Sequence, residues 1–120
     1  MPTIHFEYTT NLKIVEKIKP FLLEVHHLLV EMIKTDLPTC RSLVAPYSDY
    51  VVGNGNDNNA FIQLTIKILP GRSEELKKQT GKALFDKIKK IFANEINRLN
   101  TEVRVYLQET DIEHYHGLNG

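Results

Sequence analysis

The sequence is poor in cysteine and has no long apolar run. Cys40 is the only cysteine, which excludes an intrachain disulfide and a multi-cysteine metal site. Nothing in the sequence identifies a base for its thiol, so we expect Cys40 to pack rather than to act as a nucleophile. No apolar run approaches the ~20 residues of a membrane span, and no charged-then-apolar leader precedes the first predicted strand. We therefore expect a cytoplasmic protein that has no membrane partner.

An excess of charge of either sign is also lacking. The chain has 15 basic and 15 acidic residues, so its formal net charge is zero. Global electrostatics therefore implies neither nucleic acid nor an anionic membrane as a partner. The length of 120 residues fits one domain, residues 1–120, with a modest core of its own.

The first half of the sequence predicts a strand, a helix and a second strand. Residues 2–8 alternate between apolar and polar side chains, as a half-buried strand does. From residue 11 to residue 34 apolar side chains recur every three or four positions, which predicts an amphipathic helix with one apolar stripe. The stripe consists of Leu12, Val15, Ile18, Leu22, Val25, Leu29 and Met32. Because proline is tolerated at the first helical position, we expect a loose turn before Pro20 and the main helix beginning near it. A second strand is predicted from Cys40 to about Val52, and Pro46 indicates a bulge or an edge position in it.

The second half predicts the same succession. Turn-forming residues fill positions 53–59 and predict a hairpin or loop. A strand with clean alternation follows from Ala60 to Leu69. Ser73 is a good N-cap for a helix that continues through Ile96. A last strand is predicted from about Thr101 to Glu109.

The predicted elements follow the order β-α-β-β-α-β, with equal spacing in the two halves. Tyr8 to Cys40 and Leu69 to Thr101 each span 32 positions, so both intervals have room for one crossover helix. The sequence thus predicts an α/β (α+β) fold in which two right-handed βαβ units, joined by a hairpin, form a four-stranded sheet with both helices on one face.

The other face of this sheet has no predicted cover. Its side chains on the third strand are too mixed for a monomer core and fit a subunit interface, so we predict an oligomer. They are Phe61, Gln63, Thr65 and Lys67. Residues 111–120 show no clear period, and we expect a tail that crosses to a neighbouring subunit.

Pro2 is a candidate catalytic residue. Methionine that precedes a small residue is commonly removed after translation, and removal of Met1 would leave Pro2 with a free secondary amine. An α-amino group has a pKa of about 8, which burial or a nearby cation lowers further. Such an amine can act as a base near neutral pH. While Met1 is attached, the Pro2 nitrogen is an amide without an available lone pair, so this hypothesis concerns the processed chain.

Arg41 and Arg72 occupy the ends of predicted strands, where ligand sites of α/β proteins gather. A guanidinium fork suits a carboxylate and stabilises an enolate oxygen as its charge builds. The alternative from spacing alone is that both arginines form surface ion pairs.

The five histidines do not suggest a metal site. His26 and His27 are neighbours on a helix and point in directions about 100° apart. His114 and His116 would supply two ligands without a third. His5 is close to Pro2 in sequence and is a candidate partner for it. No cofactor is called for.

Several short strings, in their order and register, carry a family resemblance. They are Cys40-Arg41-Ser42, Ala60-Phe61, Thr65-Ile66-Lys67-Ile68, Gly71-Arg72-Ser73-Glu74 and Ala83-Leu84-Phe85-Asp86-Lys87-Ile88-Lys89. Together with the N-terminal proline and the doubled βαβ layout, they resemble the tautomerase superfamily and, within it, the 5-carboxymethyl-2-hydroxymuconate isomerases. The likeness covers nearly the whole chain. The resemblance implies a homotrimer with sites between subunits, an N-terminal proline as acid and base, and arginines that hold carboxylates; Pro2, Arg41 and Arg72 match those roles.

We therefore predict a cofactor-independent isomerase of aromatic-compound catabolism. Its substrate would be a small unsaturated hydroxy-dicarboxylic or tricarboxylic acid of the 5-carboxymethyl-2-hydroxymuconate type. Two alternatives stay open: another activity of the superfamily, such as phenylpyruvate-type tautomerisation, and a non-catalytic oligomeric binding protein with the same fold.

Overall fold

The computed structural model describes residues 1–118. Helices and strands follow the predicted order, with one additional short helix before the last strand. The strands are β1 (Thr3–Thr9), β2 (Arg41–Tyr47), β3 (Asn59–Ile68) and β4 (Asn100–Glu109), and the helices are α1 (Val15–Ile33), α2 (Glu74–Ile91) and α3 (Ala93–Arg98). Short 3₁₀ turns span Leu37–Thr39 and Ile112–His114. Among the helices of residues 1–118, none has both the length and the apolar composition that spanning a membrane requires.

The four strands form one sheet in the order β2-β1-β3-β4. β1 pairs in parallel with β2 and antiparallel with β3, and β3 pairs in parallel with β4. The predicted fold class is confirmed. The predicted hairpin is wrong, because β1 lies between β2 and β3 and residues 48–58 connect strands that are not paired. Pro46 lies in an outer strand, as predicted, where its missing N–H leaves no ladder bond unmade.

The core lies between the sheet and the helices. Alternation in β1 and β3 directs the side chains of Ile4, Phe6, Ile62 and Leu64 to this side, where all four are fully buried. The rings of Phe6, Phe21 and Phe92 pack together with centroids 5.1 to 5.9 Å apart. This aromatic cluster joins β1 to both crossover helices.

The start of the first helix differs from the prediction. α1 begins at Val15, and Pro20 lies inside it. The proline removes the hydrogen bond to the Glu16 carbonyl, but Pro20 and Glu16 are exposed, so water can solvate that carbonyl. Val15, which the apolar period placed on the buried stripe, is 70% exposed.

The second helix also differs at its end. Ser73 caps α2 as predicted, since its Oγ accepts a hydrogen bond of 3.1 Å from Leu76 N. The predicted continuation to Ile96 is wrong, because the helix breaks at Phe92 (φ −102°, ψ 18°). The Phe92 ring is fully buried in the aromatic cluster, and α3 leaves this point in its own helical segment.

Strand directions give the sheet two distinct ends. The starts of β1 and β2 lie beside the ends of β3 and β4, since Thr3 pairs with both Arg41 and Lys67 and Ile68 pairs with Glu109. We call this end, with residues 2, 41, 69–72 and 110–118, the arginine end. The opposite end holds Asn11, Asn54, Asn59 and Asn100, and we call it the amide end.

Side-chain amides close the amide end. Asn59 Nδ2 donates to Val52 O and to Asn54 Oδ1, each at 2.9 Å. Its Oδ1 accepts from Asn100 Nδ2 at 3.0 Å. Asn11 Nδ2 donates to the backbone carbonyl of Asn59 at 2.8 Å. The turn residues of positions 53–59 are therefore part of a hydrogen-bonded closure that is remote from both arginines.

Candidate active site

Pro2 lies at the arginine end, directly before β1. It is buried, and its carbonyl accepts a hydrogen bond of 3.2 Å from Arg41 N. This bond extends the parallel β1–β2 ladder by one residue, so the fold itself fixes the start of β2 beside Pro2. Met1 remains attached, and the Pro2 nitrogen is an amide.

Arg41 begins β2 and points away from the core. The residue is exposed, and its Nη2 lies 3.4 Å from Thr3 Oγ1. It lines a cavity of about 520 Å³, which we call the outer cavity. The guanidinium therefore faces solvent on the same side of the sheet as Thr3.

Arg72 holds two backbone carbonyls at the arginine end. Its Nε and Nη2 donate to Ile33 O at 3.3 and 2.9 Å, and its Nη1 donates to Leu69 O at 3.1 Å. Ile33 is the last residue of α1, where carbonyls have no partner within the helix and the dipole favours a cation. Arg72 thus joins the end of α1 to the turn that follows β3.

Neither arginine forms the surface ion pair that spacing alone favoured. Within residues 1–118, no carboxylate lies within 4.0 Å of either guanidinium. The bonds of Arg72 leave one N–H on each of its terminal nitrogens, which remain available to an anion.

Two adjoining cavities bring the three predicted site residues together. Pro2 and Arg72 line a smaller cavity of about 180 Å³, the inner cavity, and Arg41 lines the outer cavity. Met1 and Thr39 line both cavities, so the two meet at these residues. His5 lines neither, because it lies farther along β1 from the arginine end, between Leu43 and Thr65.

Sequence reasoning missed two segments that line these cavities. The loop from residue 34 to residue 40 contributes to both, and the C-terminal residues 115–118 line the outer cavity. The loop has a signal in the sequence, since it leads directly into Arg41. The C-terminal segment has no such signal in the sequence, because only the direction of β4 places it beside the outer cavity. The structure describes this segment to residue 118, and the predicted crossing of residues 111–120 to a neighbour stays a prediction.

His26 supports the start of β2 from α1. Its Nε2 lies 2.7 Å from the Oγ of Ser42, the residue after Arg41. Burial lowers the pKa of His26, and the neighbouring His27 lowers it further. Both causes favour the neutral imidazole, which makes this hydrogen bond as donor or acceptor. Within residues 1–118, no three His, Cys, Asp or Glu side chains gather to hold a metal ion.

Known proteins resemble this chain in sequence and in fold. Residues 2–119 match the sequence profile of the 5-carboxymethyl-2-hydroxymuconate isomerase family. No curated protein sequence gives a significant match. A solved 5-carboxymethyl-2-hydroxymuconate isomerase from Deinococcus radiodurans R1 is 27% identical and has a TM-score of 0.91, over 99% of this chain and 90% of that one.

Two further solved structures share the fold. A 5-carboxymethyl-2-hydroxymuconate delta-isomerase is 14% identical with a TM-score of 0.82, over 100% of this chain and 89% of that one. A fused 4-OT, described as a symmetric trimer, is 20% identical with a TM-score of 0.71, over 98% of this chain and 93% of that one. Sequence and fold agree: this chain is a tautomerase-superfamily isomerase and belongs to the 5-carboxymethyl-2-hydroxymuconate isomerase family.

Proposed function

We propose that this isomerase acts, without a cofactor, on a small unsaturated hydroxy-dicarboxylic or tricarboxylic acid of the 5-carboxymethyl-2-hydroxymuconate type in aromatic-compound catabolism. Pro2 is its acid and base once Met1 has been removed. The observation that carries the proposal is the meeting of the two cavities at Met1, with Pro2 and Arg72 in one and Arg41 in the other. Loss of Met1 removes part of the wall that both cavities share.

The proposed reaction is a proton transfer between two atoms of one substrate. The Pro2 amine takes the proton of the 2-hydroxyl group of a dienol, and the oxygen becomes a carbonyl as the conjugated electrons shift along the chain. The resulting ammonium returns the proton to a carbon further along. Pro2 is buried, and its cavity is lined by two cations, Arg72 and Lys34, against one carboxylate, Asp36. Burial and the excess of cations lower the pKa of an amine below its usual value of about 8.

The two arginines have different tasks in this mechanism. Arg72 is held rigidly by Ile33 O and Leu69 O, so its remaining N–H groups are preorganised beside Pro2 and stabilise the oxygen as negative charge builds. Arg41 is exposed and binds a carboxylate of the substrate in the outer cavity. Proton transfer by Pro2 supplies part of the rate increase. Positioning of the substrate by Arg41 and charge stabilisation by Arg72 supply most of the remainder.

We further propose that residues 1–120 act as one domain within a cytoplasmic homotrimer. The face of the sheet opposite the helices carries Tyr106 and Leu43, which are 44% and 50% exposed in the single chain. A second copy would cover this face. The fused 4-OT with the same fold is described as a trimer, which supports this stoichiometry.

The deciding experiment is a spectrophotometric assay with 5-carboxymethyl-2-hydroxymuconate, on protein shown by intact mass to lack Met1. We expect Pro2→Ala to lower kcat by about 10²- to 10⁴-fold, the usual contribution of general acid–base catalysis. Pro46→Ala is the matched control, since Pro46 is an exposed proline in an outer strand, and it should retain the wild-type rate.

Other results of these assays would refute the role of Pro2 or favour one of the alternative functions. Equal rates for the wild type and Pro2→Ala would refute the acid–base role of Pro2. Turnover of phenylpyruvate in preference to the muconate in a substrate panel would indicate a different activity of the superfamily. Met1 retained in protein isolated from its own host, together with no turnover, would favour a binding protein.

A further inference from the structure

The C-terminal segment of the chain returns to the arginine end after β4. Thr110 N donates to Ile68 O at 2.8 Å, which holds the chain beside the end of β3. A 3₁₀ turn over Ile112–His114 follows, capped by Asp111 Oδ1, which accepts from Glu113 N at 3.0 Å. Residues 115–118 then line the outer cavity together with Arg41. We call residues 115–118 the C-terminal wall.

A close contact gives this wall a defined shape. The ring of Tyr115 packs against the α-carbon of Gly117, and a β-carbon at position 117 would overlap the ring. Only glycine therefore allows this contact without movement of Tyr115. The intervening residue, His116, is exposed and lines the outer cavity.

The chemistry of the outer cavity suits an anion with more than one carboxylate. Arg41 supplies a permanent positive charge. His116 supplies an imidazole ring, which has one N–H donor when neutral and two, with a positive charge, when protonated. The hydroxyl groups of Thr3, Thr39 and Tyr115 lie in the same lining. Among the residues 1–118 that line this cavity, none is acidic, so no described side chain of the lining repels a second carboxylate.

We propose that His116 is a specificity-determining residue that favours substrates with a second carboxylate beside the one bound by Arg41. The inference rests on the proposed function, since it assigns a preference to the same site. It goes beyond that function because it places the preference in the C-terminal wall, which is separate from Pro2 and Arg72. A charge-assisted hydrogen bond to a carboxylate raises affinity by roughly 10- to 150-fold, and the exposure of His116 places its effect at the lower end of this range.

The test compares two dienols that differ by one carboxylate, 2-hydroxymuconate and 2-hydroxypenta-2,4-dienoate. His116→Gln keeps the size and one hydrogen-bond donor but removes the capacity for charge. We expect it to lower kcat/KM for the di-acid by roughly 10-fold, through KM, and to leave the mono-acid unchanged. His114→Gln is the matched control, because His114 is 80% exposed and pairs with Asp111 outside the cavity. It should change neither constant.

A binding measurement separates this proposal from the isomerase proposal. Titration calorimetry with adipate and hexanoate, which differ only in the second carboxylate, should show a preference for adipate that His116→Gln abolishes. That result without turnover of either dienol would overturn the isomerase proposal and retain the role of His116. Equal loss on both dienols, or an unchanged adipate preference in His116→Gln, would overturn the role of His116. Gly117→Ala, which displaces the Tyr115 ring, should weaken the same preference.

Discussion

The two ends of the sheet differ in the kind of polar groups they gather and in how these groups are bonded. The amide end is bonded mainly within itself, although Asn11 Oδ1 is buried there without a hydrogen-bond partner among residues 1–118. At the amide end, Asn59 is 9% exposed, and its side-chain amide bonds to three other groups. At the arginine end, two cavities remain open and both guanidinium groups retain unused donors. The amide network described above contains no charged side chain, whereas the arginine end places two guanidinium groups beside its cavities.

In this small sheet, the amide end therefore contributes mainly to stability, and the arginine end holds the groups that can take part in chemistry. The amide network around Asn59 joins three chain segments through hydrogen bonds among its own neutral groups. Cationic groups that line open cavities can bind an anion. Because they are not fully bonded within the protein, they constrain the fold less at that end of the sheet. Arg72 belongs to both categories, because it bonds Ile33 O and Leu69 O and also lines the cavity that contains Pro2.

The largest effect on stability should come from the amide end. We expect Asn59→Ala to lower the free energy of unfolding by about 3 kcal/mol, because Val52 O, Asn54 Oδ1 and Asn100 Nδ2 lose a buried partner. Urea unfolding measures this loss. The kcat of the folded fraction should stay at the wild-type value, since the network lies at the opposite end of the sheet from Pro2.

Asn58→Ala is the matched control for this substitution. Asn58 is exposed, and its backbone carbonyl rather than its side chain accepts from Asn100 N. We expect a change within about 0.5 kcal/mol, as for most surface substitutions. A fall in kcat for Asn59→Ala at full folding would contradict the separation of the two ends.

An intermediate effect on stability should come from Arg72. We expect Arg72→Met to lower the free energy of unfolding by about 2 kcal/mol, since the carbonyls of Ile33 and Leu69 lose their donors. The same variant should lose kcat, because the preorganised cation beside Pro2 is gone. Urea unfolding and the dienol assay, run on the same preparation, measure the two losses.

Two further variants sharpen the result for Arg72. Arg72→Lys keeps the charge but has a single nitrogen, so it cannot reach both carbonyls and should recover the stability only in part. Arg98→Met removes an exposed arginine at the end of α3 and should alter neither quantity. Loss of activity in Arg72→Met with full stability would show that the carbonyl bonds do not support the fold.

The sequence predicted those features of the fold that depend on local pattern. The alternation of β3 and the cap at Ser73 need only neighbouring residues, and both are present in the structure. The position of Pro20 in α1 was mispredicted, because an exposed helix surface tolerates the missing hydrogen bond. The break at Phe92 was missed, because it depends on packing against Phe6 and Phe21 from distant parts of the chain.

The residues of the candidate site stay a prediction, and their contacts have no local signal in the sequence. Pro2 is predicted from the amine that removal of Met1 would free, Arg41 and Arg72 are predicted from their positions at strand ends, and the family resemblance implies all three. The bond from Arg72 to Ile33 O joins residues that are 39 positions apart, and no local pattern indicates it. The crossing of residues 111–120 to a neighbour stays a prediction. Within the single chain, the direction of β4 places the C-terminal wall beside Arg41.

The smallest effect should be a dependence of stability on pH near the arginine end. Burial lowers the pKa of His26 below its ordinary value of 6.5, and His27 lowers it further. The unfolded chain therefore binds this proton more readily than the folded chain. Stability is fully present above pH 6.5, falls as the pH drops from 6.5 to the folded pKa of His26, and levels off below that value. Urea unfolding at several pH values should show this decrease.

Substitution of either histidine tests the source of this slope. His26→Gln should remove it, and His27→Gln should remove only a smaller part, because burial of His26 is the larger cause. Glu74 and Glu95 also have lowered pKa values, through hydrogen bonds from Lys77 and Lys17, but their loss of stability falls below pH 4.5 and is separable. An unchanged slope in His26→Gln would exclude this imidazole as its source.

Hydrogen exchange can locate the acid effect within the sheet. Protonation of His26 places a charge in a partly desolvated position beside Ser42, the residue after Arg41, so acid favours opening there and the start of β2 should exchange faster as the pH falls below 6.5. The amides around Asn59 and Asn100 should keep their protection, after correction for intrinsic rates, because the amide network contains no group that titrates in this range. Equal acid-induced loss at both ends would mean that the sheet opens as one unit, and the contrast between its ends would then not extend to local stability.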